Sequence, residues 1–131
     1  MGKNVKELMD NDIFAKHCGI ELVEVSEGSA IARMKIRPYH LNGVGIVQGG
    51  AVYTLADLAL AAASNSYEQV AVGLTSNISY FKAESSGILF AKATEISLRR
   101  TVATYQVNVT NEQDELIASF QGTVYRKPNK G

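Results

Sequence analysis

The sequence predicts a single α+β domain in which a curled antiparallel sheet wraps around a long central helix. The chain has 131 residues, a length that one hydrophobic core can organise. In residues 51–63, AVYTLADLALAAA, only Thr54 and Asp57 are polar, which predicts a helix that is buried on most of its sides. Alternating segments before and after that helix indicate strands. This order of elements is typical of an antiparallel sheet packed on a helix.

The first element is predicted to be one amphipathic helix over residues 4–17, within an N-terminal segment of residues 1–19. Gly19 follows the pattern and is a typical residue for ending a helix. The apolar stripe of this helix would consist of Val5, Leu8, Met9 and Ile13.

The next two elements form a predicted β-hairpin. Residues 21–25 and 30–37 alternate between apolar and polar side chains, and a glycine-containing turn at 26–29 separates them. Residues 38–48 contain Pro38 and two glycines without a clear period. We therefore expect a loop that leads into the central helix.

Strands are predicted after the central helix at residues 70–81, 88–98, 103–110 and 116–125. In the third of these, Tyr105, Val107 and Val109 fall on one face. The polar segment 111–115 is a predicted turn, and residues 127–131 are expected to form a flexible tail.

Composition excludes several classes of function. The formal net charge is zero, with 13 basic and 13 acidic residues, which argues against a nucleic-acid partner. The central helix would be about 20 Å long, too short to cross a bilayer, so no membrane partner is expected. Cys18 is the only cysteine and cannot form an intrachain disulfide, which favours a cytoplasmic location. His17 and His40 do not form a metal-binding cluster, and His40 is interpreted as a loop or packing residue.

Asp57 is the first candidate for chemistry. Burying an unpaired carboxylate is unfavourable, so a carboxyl group in the middle of an apolar helix is paired, protonated or used. Gly49 and Gly50 would begin the same helix. Their backbone N–H groups have no intrahelical partner and could polarise a carbonyl and stabilise an oxyanion. Asp57 could activate water as a general base, or attack as a nucleophile.

The segment from His40 to Asp57 resembles the hotdog-fold acyl-CoA thioesterases, in particular the PaaI-like branch of the phenylacetate pathway. The matching residues are Asn42, Gly45, Gly49, Gly50 and Asp57. Residues 79–82 (SYFK), 98–105 (LRRTVATY) and 122–126 (GTVYR) extend the similarity over about residues 12–126. The resemblance implies a hotdog fold and hydrolysis of an acyl-CoA thioester to a carboxylate and free CoA.

Two residues depart from the family pattern. Gln48 occupies the position of the usual histidine before Gly-Gly, and Lys82-Ala83 replaces an Arg-Pro pair. Gln48 cannot titrate, but it could donate a hydrogen bond to the thioester oxygen or orient Asp57. Asn42 could contact the carbonyl or the water, or it could form an Asn-Gly turn. Thr75 lies where relatives place a hydroxyl that holds the attacking water.

A set of polar and basic residues could form the rim of the coenzyme A site. Coenzyme A would enter as part of the substrate, and no metal or redox cofactor is implied. The predicted substrate-binding residues are Gly50, Thr75, Lys82, Ser85, Arg99 and Arg100. Each basic residue could equally belong to a solvated charged edge.

Helix geometry predicts a site shared between two subunits. At ~1.5 Å per residue, Asp57 lies about 12 Å along the helix axis from Gly49, too far for both to reach one carbonyl. We therefore expect a homodimer with shared active sites. The resemblance implies a dimer of dimers.

Two other functions are compatible with the same residues. A non-catalytic acyl-CoA sensor or scavenger would follow if Gln48 marks lost chemistry. A hotdog dehydratase acting on a hydroxyacyl thioester ranks last, because those enzymes generally need a histidine where this chain has Gln48. The sequence leaves the acyl group undetermined.

Overall fold

The computed structural model describes residues 5–128. Within these residues, three α-helices, one 3₁₀ helix and six strands follow one another. In order they are α1 (Val5–Asp10), α2 (Ile13–His17), β1 (Ile20–Ser26), β2 (Ser29–Lys35), the 3₁₀ helix (Pro38–His40), α3 (Gly49–Ser64), β3 (Ala71–Tyr80), β4 (Ile88–Leu98), β5 (Val102–Thr110) and β6 (Leu116–Arg126).

The six strands form one antiparallel sheet in the order β1-β2-β4-β5-β6-β3. The helix α3 contacts every strand, as expected for a sheet that curls around it. Tyr105, Val107 and Val109 point into the core with less than 1% of their surface exposed. The predicted α+β class and the predicted hotdog arrangement are therefore confirmed. No helix in the described part of the chain could span a membrane.

The helix α3 is buried on most of its sides, as predicted, and stays open on its outer side. Val52, Leu55 and Ala59 on the inner side are fully covered by the sheet. Gly50 and Asp57 are exposed on the outer side. The physical reason is that the curled sheet, α1 and α2 cover only part of the helix, and nothing else in residues 5–128 covers Gly50 and Asp57.

The N-terminal segment contains two short helices instead of the predicted single helix. The carboxylate of Asp12 accepts a hydrogen bond from the Ala15 backbone N–H at 3.0 Å and so starts α2 as an N-cap. Of the predicted stripe, Val5 and Met9 are buried, whereas Leu8 and Ile13 are exposed. Residue 4 lies outside the described part of the chain.

The remaining strands begin and end within about two residues of the predicted bounds, the usual uncertainty of such boundaries. The tail differs at its first residue: the Lys127 N–H donates to the Val70 carbonyl at 2.8 Å, which holds that residue against β3. Residues 129–131 of the predicted flexible tail lie outside the described residues.

One end of the sheet carries the N-terminus of α3, and we call it the site end. The Lys35–Ile88 pair ends the β2–β4 ladder there, and the Tyr80–Ala118 pair ends the β3–β6 ladder. The Tyr80 hydroxyl donates to the Gly49 carbonyl at 2.8 Å, which fixes α3 to this end.

Candidate active site

The N-terminus of α3 presents unused backbone donors. Gln48 is the N-cap residue, and its carbonyl accepts from Ala51 N–H at 3.0 Å and Val52 N–H at 3.3 Å. Within residues 5–128, the N–H groups of Gly49 and Gly50 have no acceptor, and the Gln48 side chain makes no capping hydrogen bond. These donors lie at the positive end of a helix of 16 residues. The site therefore offers free hydrogen-bond donors in a positive electrostatic field, which stabilise a developing oxyanion.

Side chains crowd both glycines. A Cβ on Gly49 would lie 3.0 Å from the Tyr80 hydroxyl oxygen, and one on Gly50 would lie 2.6 Å from Oε1 of Gln48. Glycine at 49 thus lets Tyr80 reach the helix, and glycine at 50 lets Gln48 fold over the first turn. Both glycines leave the backbone accessible to a ligand.

His40 supports the loop that precedes α3. Its Nδ1 accepts from the Arg37 N–H at 2.9 Å, so its Nε2 carries the proton that it donates to the Cys18 carbonyl at 2.7 Å. The His40 carbonyl in turn accepts from the Gln48 N–H at 2.8 Å. His40 is a buried, fully bonded residue, as the sequence interpretation expected, and it links α2 to the start of α3.

Asn42 shapes the loop beside the site. Its Oδ1 accepts from the Val44 N–H at 3.0 Å and from the Ile46 N–H at 3.3 Å. This oxygen is committed to a turn, which is the simpler of the two predicted roles. The Nδ2 amide group of Asn42 has no acceptor within the described residues and can still donate to a ligand.

Asp57 lies two turns further along the outer side of α3. Burial raises the pKa of its carboxyl group above the ordinary value, because the surrounding chain removes water from one side of it. The negative charge of Asp12 raises the pKa further. Asp57 nonetheless keeps an exposed surface, so the group faces outward from the chain that holds it.

A cavity of about 820 Å³ opens beside the first turn of α3, and we call it the site cavity. Its size is within the usual range for a small-molecule site. It is lined by Phe14, His17, Cys18, Tyr39, His40, Leu41, Gln48, Gly50, Ala51 and Thr54. The helix α2, which the sequence interpretation did not connect with the site, thus forms one wall.

Tyr53 of α3 contacts two strands of the sheet. The Tyr53 hydroxyl and the Ser76 hydroxyl of β3 form a hydrogen bond, and Tyr53 packs edge-on against Phe120 of β6 at a centroid distance of 5.2 Å. Together with Tyr80, these contacts hold α3 against β3 and β6. Sequence reasoning did not find the contacts of either tyrosine, because the sequence carries no local signal of a tyrosine hydroxyl's partner. Thr75 is exposed at a bulge in β3.

The predicted coenzyme A contacts do not come together within one chain. Lys82 and Ser85 follow β3 at the site end, and the Lys82 ammonium is 3.1 Å from the Glu84 carboxylate. Arg99 and Arg100 lie in the β4–β5 turn, where the Arg99 carbonyl accepts from Arg126 at the far end of β6. At ~3.3 Å per residue, the length of β6 puts this turn roughly 26 Å from the site end.

A metal site requires several ligating side chains in one place. Among residues 5–128, no three His, Cys, Asp or Glu side chains form a group that could hold an ion.

Known proteins match both the sequence and the fold. The sequence model of the thioesterase superfamily matches residues 44–118. A candidate esterase from Archaeoglobus fulgidus is 39% identical over 128 residues, which cover 96% of this chain and 83% of that protein. The acyl-coenzyme A thioesterase PaaI of Escherichia coli K12 is 28% identical over 125 residues, covering 95% of this chain and 89% of that protein. The solved structure of the E. coli PaaI protein superimposes with a TM-score of 0.93 at 29% identity, covering 98% of this chain and 94% of the other.

Proposed function

This chain belongs to the thioesterase superfamily and is a thioester hydrolase, and from that premise we propose that it hydrolyses acyl-CoA thioesters to a carboxylate and free CoA. The observation that carries the proposal is the pair of unused N–H groups at Gly49 and Gly50, at the edge of a cavity large enough for an acyl thioester. An aryl or a short to medium acyl group is compatible with this cavity.

The backbone amides would act on the thioester oxygen. The carbonyl oxygen accepts from the N–H groups at the start of α3, and the negative charge that forms there during attack is stabilised by these donors and by the helix dipole. The donors are fixed before the substrate arrives, since Tyr80 and His40 hold the backbone on either side. No reorganisation is then needed as the charge develops.

Asp57 would activate the nucleophile. As a general base, its carboxylate accepts a proton from water while the water oxygen forms a bond to the thioester carbon. The C–S bond then breaks, and the CoA thiolate leaves and is protonated. A raised pKa makes the carboxylate a better proton acceptor at neutral pH than an ordinary aspartate. Direct attack by Asp57 through an anhydride is the alternative role.

The neighbouring polar groups would position the reactants. Gln48 can donate from its side-chain amide to the thioester oxygen or to Asp57, and Asn42 can donate from Nδ2. Thr75, which lies in β3, would hold the attacking water. Lys82, Ser85, Arg99 and Arg100 stay candidates for contacts to coenzyme A in an assembled molecule.

A homodimer would complete the site. The outer stripe of α3, Gly50, Thr54, Asp57 and Ala61, faces away from its own sheet. A two-fold axis crossing a pair of antiparallel α3 helices between Tyr53 and Thr54 would set Asp57 opposite Gly50 of the other protomer, since both positions lie equally far from that point. Each dimer would then hold two shared sites, and two such dimers could pair as a tetramer.

The first experiment is thiol release from a panel of aryl- and alkanoyl-CoA esters by wild type, Asp57→Asn and Glu24→Gln. Loss of a general base should lower kcat by about 10²–10⁴-fold in Asp57→Asn. Glu24→Gln alters an exposed carboxylate of β1 and should keep the wild-type rate. Full turnover by Asp57→Asn would overturn the proposed role of Asp57.

Mixed dimers test whether the site is shared. Asp57→Ala and Gly49→Val should each be inactive, the second because its side chain would displace Tyr80. Mixing the two variants under conditions that exchange subunits should restore about a quarter of the wild-type rate, because half of the dimers then have one intact site. Absence of any recovery in exchanged mixtures would show that each chain supplies its whole site.

A non-catalytic acyl-CoA-binding protein is the second candidate. Gln48 favours it, because an amide cannot replace a titrating histidine as acid or base. Saturable binding of acyl-CoA without thiol release on any ester of the panel would support this function and exclude the first.

A further inference from the structure

A second cavity lies under the N-terminal helices, against β1 and β2, and we call it the basic cavity. Its volume is about 680 Å³. Its cationic lining residues are Lys6, Lys16, Arg33, Lys35 and Arg37, and its acidic ones are Asp10 and Glu21. Apolar side chains, Met9, Ile20, Leu22, Leu58 and Ile88, form much of the rest. The cavity can thus receive a ligand that carries both negative charge and apolar surface.

The positive charge of this cavity is in excess. The whole chain has a formal net charge of zero, so a local excess of cations is balanced elsewhere on the molecule. Arg33 is neutralised by Glu21, with Nε 2.9 Å from Oε1. Within residues 5–128, no carboxylate lies within 4 Å of the Lys6, Lys16, Lys35 or Arg37 head groups. Such unpaired cations around a concave surface attract polyanions.

The basic cavity adjoins the site cavity, and the Tyr39 side chain lies between them. Tyr39 lines both, and the neighbours Cys18 and Gly19 line one cavity each. The Tyr39 hydroxyl oxygen lies 3.6 Å from the position of a Cβ on Gly19, so the tyrosine ring bridges from the 3₁₀ helix to the end of α2. A ligand whose reactive end lies at Gly49 and Gly50 could extend past Tyr39 into the basic cavity.

The other cations near the chain's candidate site are less available. Lys82 is held by Glu84 at 3.1 Å and lies 3.9 Å from Glu115. Arg99 and Arg100 lie roughly 26 Å from the site end along β6, by the rise of ~3.3 Å per residue. Within residues 5–128, the basic cavity therefore gathers cations without a carboxylate partner beside the site cavity.

We propose that the basic cavity binds the nucleotide phosphates of the CoA thioester whose acyl end reacts at Gly49 and Gly50. This inference rests on the proposed acyl-CoA function. The diphosphate and the 3′-phosphate would accept hydrogen bonds from Lys16, Lys35 and Arg37, and the apolar floor would receive the adenosine. The pantetheine arm would pass over Tyr39.

The test compares Lys16→Ala/Lys35→Ala with the matched control Lys92→Ala/Lys127→Ala, which removes two cations from outside both cavities. Substrates are an acyl-CoA, its 3′-dephospho analogue and the same acyl group on pantetheine. For Lys16→Ala/Lys35→Ala, KM should rise about ten-fold for acyl-CoA, less for the dephospho analogue, and stay constant for acyl-pantetheine. The control should behave as wild type on all three.

Two results would overturn the inference. One is an equal KM change on acyl-CoA and acyl-pantetheine, which would mean that the lysines act on the shared part of the substrate or on the fold. The other is an unchanged KM in Lys16→Ala/Lys35→Ala together with a raised KM for acyl-CoA in Arg99→Ala/Arg100→Ala, which would locate the phosphates at the β4–β5 turn.

A binding measurement separates this inference from the proposed function. Adenosine 3′,5′-bisphosphate should bind wild type in calorimetry and bind Lys16→Ala/Lys35→Ala about ten-fold more weakly. If no ester releases thiol but this difference is found, the hydrolase proposal fails while the phosphate site stands. If turnover is normal and the bisphosphate binds both proteins equally, only the phosphate site fails.

Discussion

At the scale of single residues, His40 shows how a polar side chain can organise a site without reacting. The ring is 4% exposed and satisfies both nitrogens, one with a backbone N–H and one with a backbone carbonyl. Because the same residue's carbonyl receives the Gln48 N–H, its position sets where α3 begins. His40 therefore stabilises the fold and also fixes the position of the first turn of α3.

Replacing His40 should destabilise the protein. His40→Ala removes a buried ring and leaves two partly buried backbone groups without their partners, and we expect a loss of about 2–4 kcal/mol in the free energy of unfolding. Urea denaturation measures this change. His17→Ala, which removes the exposed histidine of α2, is the matched control and should lie within about 0.5 kcal/mol of wild type. Equal stability of the two variants would contradict the structural role.

The sequence indicated the residue types of the site better than their surroundings. Asp57, Gly49 and Gly50 stand out because a carboxylate in an apolar helix and a Gly-Gly helix start are local patterns. The contacts of Tyr80 with Gly49 and of His40 with Cys18 join residues that are far apart in the chain. Such contacts leave no periodic signal in the sequence.

At the scale of elements, the short helix α2 couples to the chemistry through its N-cap. Asp12 caps α2 by accepting from the Ala15 N–H, and its charge contributes to the raised pKa of Asp57. The N-cap that breaks the N-terminal helix thus also acts on the proposed base.

Asp12→Asn should move the acid limb of the pH profile. Asparagine retains the N-cap but removes the negative charge, so the pKa of Asp57 should fall toward its ordinary value. Because the base works when deprotonated, the acid limb of kcat/KM should shift to lower pH, and the plateau should fall slightly because a less basic carboxylate accepts a proton less readily. Profiles of thiol release from pH 3 to pH 9 measure this shift.

Asp12→Ala separates the charge from the cap. It should show the same shift in pH profile and also lose about 1 kcal/mol of stability, because the Ala15 N–H loses its partner. An acid limb that stays in place in both variants would mean that Asp12 does not influence the proposed base.

The elements with a strong local pattern were predictable, and the break between α1 and α2 was not. The strands β4 to β6 and the helix α3 have clear alternation or a long apolar run, and their bounds agree closely with the prediction. In the N-terminal segment, Leu8 and Ile13 continue the helical stripe, while Asp12 supplies a competing N-cap. In the folded chain the Asp12 cap prevails, and Val5 and Met9 before it are buried.

At the scale of the whole molecule, the resemblance to the hotdog-fold thioesterases is confirmed by the family match and by the structural neighbours. The sheet ends at β3, whose outer edge pairs with no other strand within residues 5–128. Exposed apolar side chains lie on and beside it: Val70, Val72, Leu74, Tyr80 and Phe81. An open apolar edge of this kind is a pairing surface.

Leu74→Glu should weaken the proposed dimer. Leu74 is 59% exposed at the β3 bulge, and a charge there would be buried by a second copy. We expect a shift toward monomer in analytical ultracentrifugation together with loss of thiol release. Val23→Glu is the control, since Val23 is 49% exposed at the bulge of the opposite edge strand, β1. Equal association of the two variants would exclude β3 as the interface.

Assembly is where prediction from one sequence reaches its limit. The distance along α3 between Gly49 and Asp57 argues for a shared site, and it follows from helix geometry alone. Which surfaces of two protomers form the interface depends on the shape of the folded chain. The sheet order, in which β3 pairs with the last strand and not with its sequence neighbour, cannot be read from local patterns.

That sheet order has a consequence for biosynthesis. The strand β6 is made after β3, β4 and β5, and it is the neighbour of both β5 and β3. As translation proceeds at about 5–20 residues per second, β3 emerges several seconds before the strand that will pair with it. Until then, its apolar surface is open along both edges on the ribosome. Truncated chains that lack β6 should therefore keep this apolar surface exposed, and chaperones and proteases should bind them more than the full chain.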